Sequence, residues 1–225
     1  MLRFHDGNLA RAKIRTGTIR TGTIRTGTIR TGGSNVPLTQ LDDCSALIVI
    51  DLQKGIVSQP TAQPASAIVE RAARLARAFR ERGLPVVLVH VTGRAPGRTD
   101  AGMRPFPAEA DWAELLPQLE QQPSDFIVTK RRPGAFVGTT LDDYLRQRGV
   151  TQIVLAGIST SIGVESTARS AYDLGYNVTF VVDAITDRDA DNHRHCVEKV
   201  FPRFGECGKS DDVLELLREK PTKQA

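Results

Sequence analysis

The chain has 225 residues, of which 40% are hydrophobic and 25% charged, a composition typical of one soluble globular domain. Its longest apolar run, at residues 46–50, is far shorter than the roughly 20 residues that a membrane helix needs, which argues against a membrane protein. The three cysteines (Cys44, Cys196 and Cys207) lack CxxC spacing, which argues against a disulfide framework or a zinc cluster and favours a reducing, cytoplasmic location.

The first 40 residues differ from the rest in charge and complexity. They contain seven basic residues and one acid, a net charge of +6, whereas the 23 basic and 25 acidic residues of 41–225 give −2. Residues 14–32 repeat the unit IRTGT, which spreads its isoleucines around a helix and adds a helix-weakening glycine each time. We therefore expect residues 1–40 to be a disordered, basic, low-complexity tail, with a tether for anionic partners as the alternative. Residues 41–225 then form the folded domain, and their charge gives no support to nucleic-acid binding.

Beyond the tail, continuous apolar segments alternate with amphipathic ones. The apolar segments are rich in β-branched residues and predict parallel strands buried on both faces, at residues 46–50, 85–91, 126–129, 152–157 and 177–182. The amphipathic segments have caps or glycine stops and predict helices at residues 66–82, 141–148, 161–174 and from Ser210 onward. Repeated strand–helix units of this kind predict a three-layer α/β/α domain with a doubly wound, mainly parallel sheet.

Candidate chemistry follows three of these strands, because open parallel sheets bind ligands beyond the carboxyl ends of their strands. Asp51 follows the first strand within VIDLQ, and Lys130 follows the third within TKRRPGAF. The fourth strand leads into a helix through GISTSIGVESTAR, and a helix start offers N–H groups and the positive end of the helix dipole. A carboxylate, an ammonium group and a helix start are therefore expected to converge at one edge of the sheet.

The hydroxyl groups that follow the fourth strand and two closely spaced histidines are interpreted as structural. Ser159, Thr160 and Ser161 would need a base to act as nucleophiles, and the sequence places no histidine beside them, so helix capping is favoured. His193 and His195 are two residues apart, on different sides of a helix, which disfavours a chelating pair.

Four motifs in this order carry a resemblance to a known family: VIDLQ, then TKRRPGAF with LDDYLRQRG, then LAGISTSIGVESTARSAYDLGYNV, then VVDAITDRD with FPRFGE. Along residues 41–218 the chain resembles the isochorismatase-like (cysteine hydrolase) superfamily. The resemblance implies a three-layer α/β hydrolase fold, a homodimer or larger assembly, and a triad of Asp, Lys and Cys. By motif, the Asp is Asp51, the Lys is Lys130, and Gly163 stands at the cysteine position. Substrate contacts are expected from Gln53, Phe136, Ile158, Ser159 and Ile162.

Glycine at position 163 changes the chemistry that the resemblance implies. A cysteine at a helix start can attack an amide or a nitrile, and glycine supplies no such nucleophile. The metal site of nicotinamidase-like members is also missing, since no Asp-x-His follows Asp51, so neither a metal nor another cofactor is expected. The true isochorismatases tolerate glycine here, but this chain lacks their glutamine-bearing segment after the second strand. It is similar instead to a glycine-bearing branch with the signature TKRxxGAF and GISTxIGVESTAR.

Two hypotheses from different classes follow. In the first, the protein hydrolyses a small molecule without a cysteine, using Asp51 as general acid or base and Lys130 as its charge partner. In the second, the protein is catalytically silent and keeps the pocket to bind a small molecule. The sequence does not separate the two and does not identify the ligand.

Overall fold

The computed structural model of the chain describes residues 38–100, 109 and 111–219. The predicted tail with its IRTGT repeat lies outside the described residues, except for residues 38–40. Leu38 is buried in the core, so the packed chain includes residues ahead of the predicted start at Leu41. None of the helices in the described ranges has the length and apolar character needed to cross a bilayer.

Within the described residues, six strands form a single sheet in which all neighbouring strands are parallel. They are β1 (Ser45–Ile50), β2 (Val86–Val91), β3 (Phe126–Lys130), β4 (Gln152–Ile158), β5 (Asn177–Thr186) and β6 (Glu206–Gly208). Their order in the sheet is β3-β2-β1-β4-β5-β6, which places β1 between β2 and β4. The five predicted strands and the parallel sheet are confirmed. β5 extends beyond its predicted end at residue 182, and β6 is an additional edge strand.

Helices connect the strands and cover both faces of the sheet. They are α1 (Lys54–Val57), α2 (Ala65–Glu81), α3 (Leu141–Gln147), α4 (Glu165–Asp173), α5 (Ala190–His195) and α6 (Ser210–Glu219). Shorter 3₁₀ and π-helical turns lie at Pro117–Leu119, Thr160–Val164, Cys196–Val200 and Phe201–Arg203. The helix predicted over residues 161–174 is divided into the π-helical turn Thr160–Val164 and α4.

The side chains of β1 show how the three layers are built, because successive residues of a strand point to opposite faces. Leu47 and Val49 belong to a core shared with α2 and α6. Ala46, Ile48 and Ile50 belong to a second core, shared with α3 and α4. All six residues of β1 are buried, which explains why residues 46–50 are continuously apolar rather than alternating. The predicted α/β/α sandwich is therefore confirmed.

A close approach of β1 and β4 positions the functional edge of the sheet. Gly157 pairs with Ile50 and has φ +121°, and a Cβ at this glycine would overlap the backbone of Ile50. The pairing of β4 with β5 shifts register between Leu155 and Gly157. These two features bring the residues after β1, β4 and β5 together at the carboxyl end of the sheet.

Candidate active site

Asp51 and Lys130 form a buried ion pair at the carboxyl end of the sheet. Asp51 directly follows β1 and Lys130 is the last residue of β3, so the lysine reaches across the intervening strand β2. Its Nζ lies 2.8 Å from Oδ2 of Asp51, and the two residues are 2% and 6% exposed. Lys130 Nζ also donates a hydrogen bond of 2.6 Å to the carbonyl oxygen of Pro133. The contact expected from the positions of these two residues in the sequence is present.

The environment of Asp51 keeps its proton affinity high. Burial raises the pKa of Asp51 from 3.8 to about 6, against the opposing effects of Lys130 and of the more distant His90. Its second oxygen, Oδ1, is buried and has no hydrogen-bond partner among the described residues. The backbone of Asp51 has φ 51°, a left-handed conformation that non-glycine residues adopt at a cost of about 1–2 kcal/mol. A buried carboxyl with one unused oxygen and a pKa near 6 is suited to accept or donate a proton near neutral pH.

Gly163 lies directly against this ion pair. A Cβ built on Gly163 would be 3.3 Å from Oδ2 of Asp51 and 3.4 Å from Nζ of Lys130. It would also be 2.9 Å from Cγ2 of Ile50, so a side chain here would require a small shift. The structure therefore brings Asp51, Lys130 and Gly163 together within a few ångströms, although they are far apart in the sequence.

The helix start that carries Gly163 is a π-helical turn. The N–H of Val164 donates to the carbonyl oxygen of Ser159 at 3.1 Å, five residues earlier rather than four. Such turns often occur at functional sites, where the wider ring changes the direction of neighbouring groups. This turn was not predicted, because the sequence of the segment is compatible with an ordinary helix.

Asp187, at the end of β5, holds this helix start, and the predicted capping by the hydroxyls of residues 159–161 is wrong. Ser159 makes no side-chain capping bond. Instead, the N–H and the hydroxyl of Ser161 both donate to Oδ2 of Asp187, at 2.7 Å. Burial opposes ionisation of Asp187, but hydrogen bonds from Ser161 and from the backbone of Arg188 keep its pKa below the usual range. Sequence reasoning missed Asp187 because it lies beyond the predicted end of β5.

A histidine does lie beside the hydroxyl groups, contrary to the prediction. α5 places Nδ1 of His193 2.9 Å from Oγ1 of Thr160. The hydroxyl of Thr160 is not placed to attack a substrate, because the residue is fully buried. Burial lowers the pKa of His193, against the effect of Asp187, so the ring is favoured in its neutral form. The contact is therefore structural. It could not be predicted from the sequence, because it depends on the packing of α5 against the helix start.

The residues expected to bind substrate lie in different environments. The side chain of Gln53 is fully buried; its amide nitrogen donates to the carbonyl oxygens of Val91 and Trp112, and its oxygen accepts from the Val91 N–H. Phe136 and Ile158 are buried, whereas Ile162 is 56% exposed. Substrate binding by these residues and by Ser159 stays a prediction.

The described residues offer no metal site, and a cavity lies away from the Asp51–Lys130 pair. In the described ranges, His, Cys, Asp and Glu side chains form no group of three that could hold a metal ion. A cavity of about 340 Å³ lies at the opposite, amino end of the sheet, where Arg80, Tyr144 and Arg148 line it. That cavity does not include the Asp51–Lys130 pair.

The fold and the paired Asp and Lys define a doubly wound α/β domain of the isochorismatase-like class. The isochorismatase domain matches residues 45–212, and the chain belongs to the isochorismatase family. It is 40% identical over 185 residues to the isochorismatase family protein YwoC of Bacillus subtilis, covering 77% of this chain and 94% of YwoC. It is 32% identical over 178 residues to the ureidoacrylate amidohydrolase RutB of Variovorax paradoxus, covering 66% of this chain and 71% of RutB. A solved isochorismatase family protein from Burkholderia thailandensis superposes with a TM-score of 0.78 at 42% identity, covering 81% of this chain and 98% of that one.

Proposed function

We propose that this protein hydrolyses a small molecule without a cysteine nucleophile, with Asp51 as general acid or base and Lys130 as its charge partner. The observation that carries the proposal is the buried Asp51 carboxyl, which has a pKa of about 6 and one oxygen without a hydrogen-bond partner in the part of the chain that the structure describes. Membership of the isochorismatase family supports hydrolysis as the reaction class. The relative RutB is named as an amidohydrolase, which makes amides one of the substrate classes to test.

Gly163 leaves water as the nucleophile in this proposal. The ionised Asp51 takes a proton from a water molecule while the water oxygen forms a bond to the electrophilic carbon of the substrate. Asp51 then returns that proton to the leaving group as its bond to the carbon breaks, so that one water is consumed and Asp51 is regenerated. Lys130 pairs with the ionised form of Asp51 and stabilises it. The nearby helix start favours negative charge that develops on the substrate.

A vinyl ether would use the same carboxyl in the opposite order. Asp51 in its protonated form would donate a proton to the vinyl carbon, and water would add to the resulting cation and return a proton to Asp51. The C–O bond of the hemiketal would then break, with the hydroxyl proton passing to the departing oxygen, so that one water is consumed and Asp51 is regenerated. The two orders predict opposite pH profiles. A reaction that needs the base form speeds up as the pH rises through about 6, whereas one that needs the acid form slows down over the same range.

The test is a turnover screen with amide, ester and vinyl-ether substrates. We expect the wild type to turn over a member of one class, and Asp51→Asn to lose at least about 100-fold in kcat/KM. Asp143→Asn, which neutralises an exposed carboxylate on α3, is the matched control and should keep wild-type activity. If Asp51→Asn retains full activity, the assignment of the proton to Asp51 is wrong. If no substrate class is turned over, the silent binding protein becomes the better interpretation.

A further inference from the structure

Arginines that form no ion pair within the described residues follow β2 and β3, at the same edge of the sheet as the Asp51–Lys130 pair. β2 and β3 run side by side, with the N–H of Thr92 donating 2.9 Å to the carbonyl oxygen of Lys130. The loops that follow these two strands therefore begin beside each other at the same edge of the sheet as the ion pair. The first three residues of each loop contain the arginines that we call the arginine rim: Arg94 after β2, and Arg131 and Arg132 after β3.

Arg131 is held in place by its aliphatic stem. A Cβ added at Gly93 would lie 3.0 Å from Cγ and 3.2 Å from Cβ of Arg131, so the stem rests directly on the glycine backbone. A side chain at position 93 would push the arginine away. Arg131 itself is exposed, so its guanidinium group is available to a ligand. Contact between a fixed stem and a glycine reduces the entropy that a long side chain loses on binding.

The rim is distinguished from other arginines by its missing counter-charges. Arg71, Arg74 and Arg80, for example, each pair with a carboxylate. Within the described residues, no carboxylate lies within ion-pair distance of a rim arginine. Lys130 does not supply the missing attraction for an anion, because its own charge is matched by Asp51. The starts of these two loops therefore carry positive charges that no described carboxylate pairs with, although residues 41–225 as a whole carry −2.

We propose that Arg131, supported by Arg94 and Arg132, binds a carboxylate group of the substrate and that the protein therefore acts on small organic anions. A guanidinium group binds a carboxylate through two parallel hydrogen bonds, which orients the ligand as well as attracting it. The reacting bond would then face Asp51, a placement that rests on the proposed function. The attraction of anions to this edge does not depend on catalysis and is tested separately.

A cysteine placed at position 163 makes it possible to measure the electrostatic attraction of the site for anions from alkylation rates. The Gly163→Cys thiolate reacts with iodoacetate or iodoacetamide in the same displacement, in which an S–C bond forms and iodide leaves. The two reagents differ chiefly in charge. Mass spectrometry of the peptide containing residue 163 gives each rate constant without interference from the three native cysteines. The ratio of the iodoacetate rate to the iodoacetamide rate, divided by the same ratio for free cysteine, measures the recruitment of anions to the site.

We expect this normalised ratio to exceed 1 by at least about threefold, the effect of one unscreened charge some 6 Å away in water. Adding Arg131→Gln should remove most of the increase. Adding Arg74→Gln, which removes an exposed arginine paired with Asp211 elsewhere, should leave it unchanged. A normalised ratio near 1, or a ratio that Arg131→Gln does not lower, would overturn the proposal.

A second measurement on the wild type covers the case in which Gly163→Cys does not fold. Trp112 is the sole tryptophan of the chain, and its carbonyl oxygen contacts Gln53 close to Asp51, so its fluorescence reports on ligands at this edge. Succinate should bind at least about tenfold more tightly than the neutral succinamide, and Arg131→Gln should abolish the preference. Equal binding, or no binding of succinate, overturns the proposal. A preference for anions without any turnover would refute the proposed function and support the anion site. Turnover without a preference for anions would support the proposed function and refute the anion site.

Discussion

Replacing Lys130 by methionine removes the cation of the buried pair while keeping much of the length of the side chain. Lys130 is 2% exposed, and its ammonium group lies 2.8 Å from Oδ2 of Asp51. The variant therefore leaves the buried Asp51 carboxylate without a counter-charge. Removing one partner of such a pair typically costs about 3–5 kcal/mol. We expect Lys130→Met to lose about this much unfolding free energy near pH 8.

The loss of unfolding free energy caused by Lys130→Met should be smaller at acidic pH, because Asp51 becomes neutral when it binds a proton. Burial already raises the pKa of this carboxyl from 3.8 to about 6, which corresponds to about 3 kcal/mol at 1.36 kcal/mol per pKa unit. A carboxyl whose pKa is higher in the folded state takes up a proton on folding. Its contribution to stability is therefore fully present below pH 3.8 and is lost as the pH rises through about 6. Lys130→Met raises the folded pKa further and extends this window upward.

Urea unfolding of four proteins near pH 5 and near pH 8 measures both effects: the wild type, Lys130→Met, Asp51→Asn and the double variant. The double variant should recover to within about 1 kcal/mol of the wild type or exceed it, because it buries no charge. It should also lack the Asp51 contribution to the pH dependence. Lys199→Met, at an exposed lysine, is the matched control. A Lys130→Met protein with wild-type stability at both pH values would refute the buried ion pair.

Three further outcomes are expected. Gly163→Cys should give a thiol with a pKa below the usual value of about 8.5. The close approach to Ile50 should lower the unfolding free energy by about 1–3 kcal/mol. The rate of alkylation measured against pH gives the pKa, and a value at or above about 8.5 contradicts the site geometry. Enzymatic activity should survive treatment with iodoacetamide, because burial raises the pKa of Cys196 to about 12 and that of Cys207 to about 11. Rapid inactivation that a substrate analogue prevents would contradict a cysteine-independent reaction. Deleting residues 1–35 should change the unfolding free energy by less than about 1 kcal/mol in urea, and a larger loss would show that the tail packs on the domain.

The sequence was sufficient for five strands of the sheet and for the central residues of the site. Continuous β-branched segments predict buried parallel strands, and parallel strands align their carboxyl ends at one edge. That rule alone placed Asp51 and Lys130 on the same edge, and the resemblance to the isochorismatase-like superfamily added Gly163. The contacts between these three positions needed no information about loops.

The supporting contacts depend on features with a weak sequence signal. β6 has three residues, too few for a recognisable pattern, and β5 runs on to Thr186 through a register shift. This extension carries Asp187 to the helix start, where it replaces the predicted hydroxyl cap. The amide of Gln53 is likewise hydrogen-bonded to backbone groups at the end of β2 and in the distant loop that contains Trp112. Contacts of this kind arise from tertiary packing, which local patterns do not encode.

The central position of β1 has a consequence for how the chain is made. β1 and its neighbour β2 leave the ribosome early, but the other neighbour, β4, begins only at Gln152. Until then, a fully buried apolar strand has one backbone edge without a partner. Such an edge is a template for aggregation, so a nascent chain or a fragment ending before β4 should depend on chaperones to stay dispersed. The partition of a fragment ending at Val150 between the soluble and pelleted fractions measures this exposure directly.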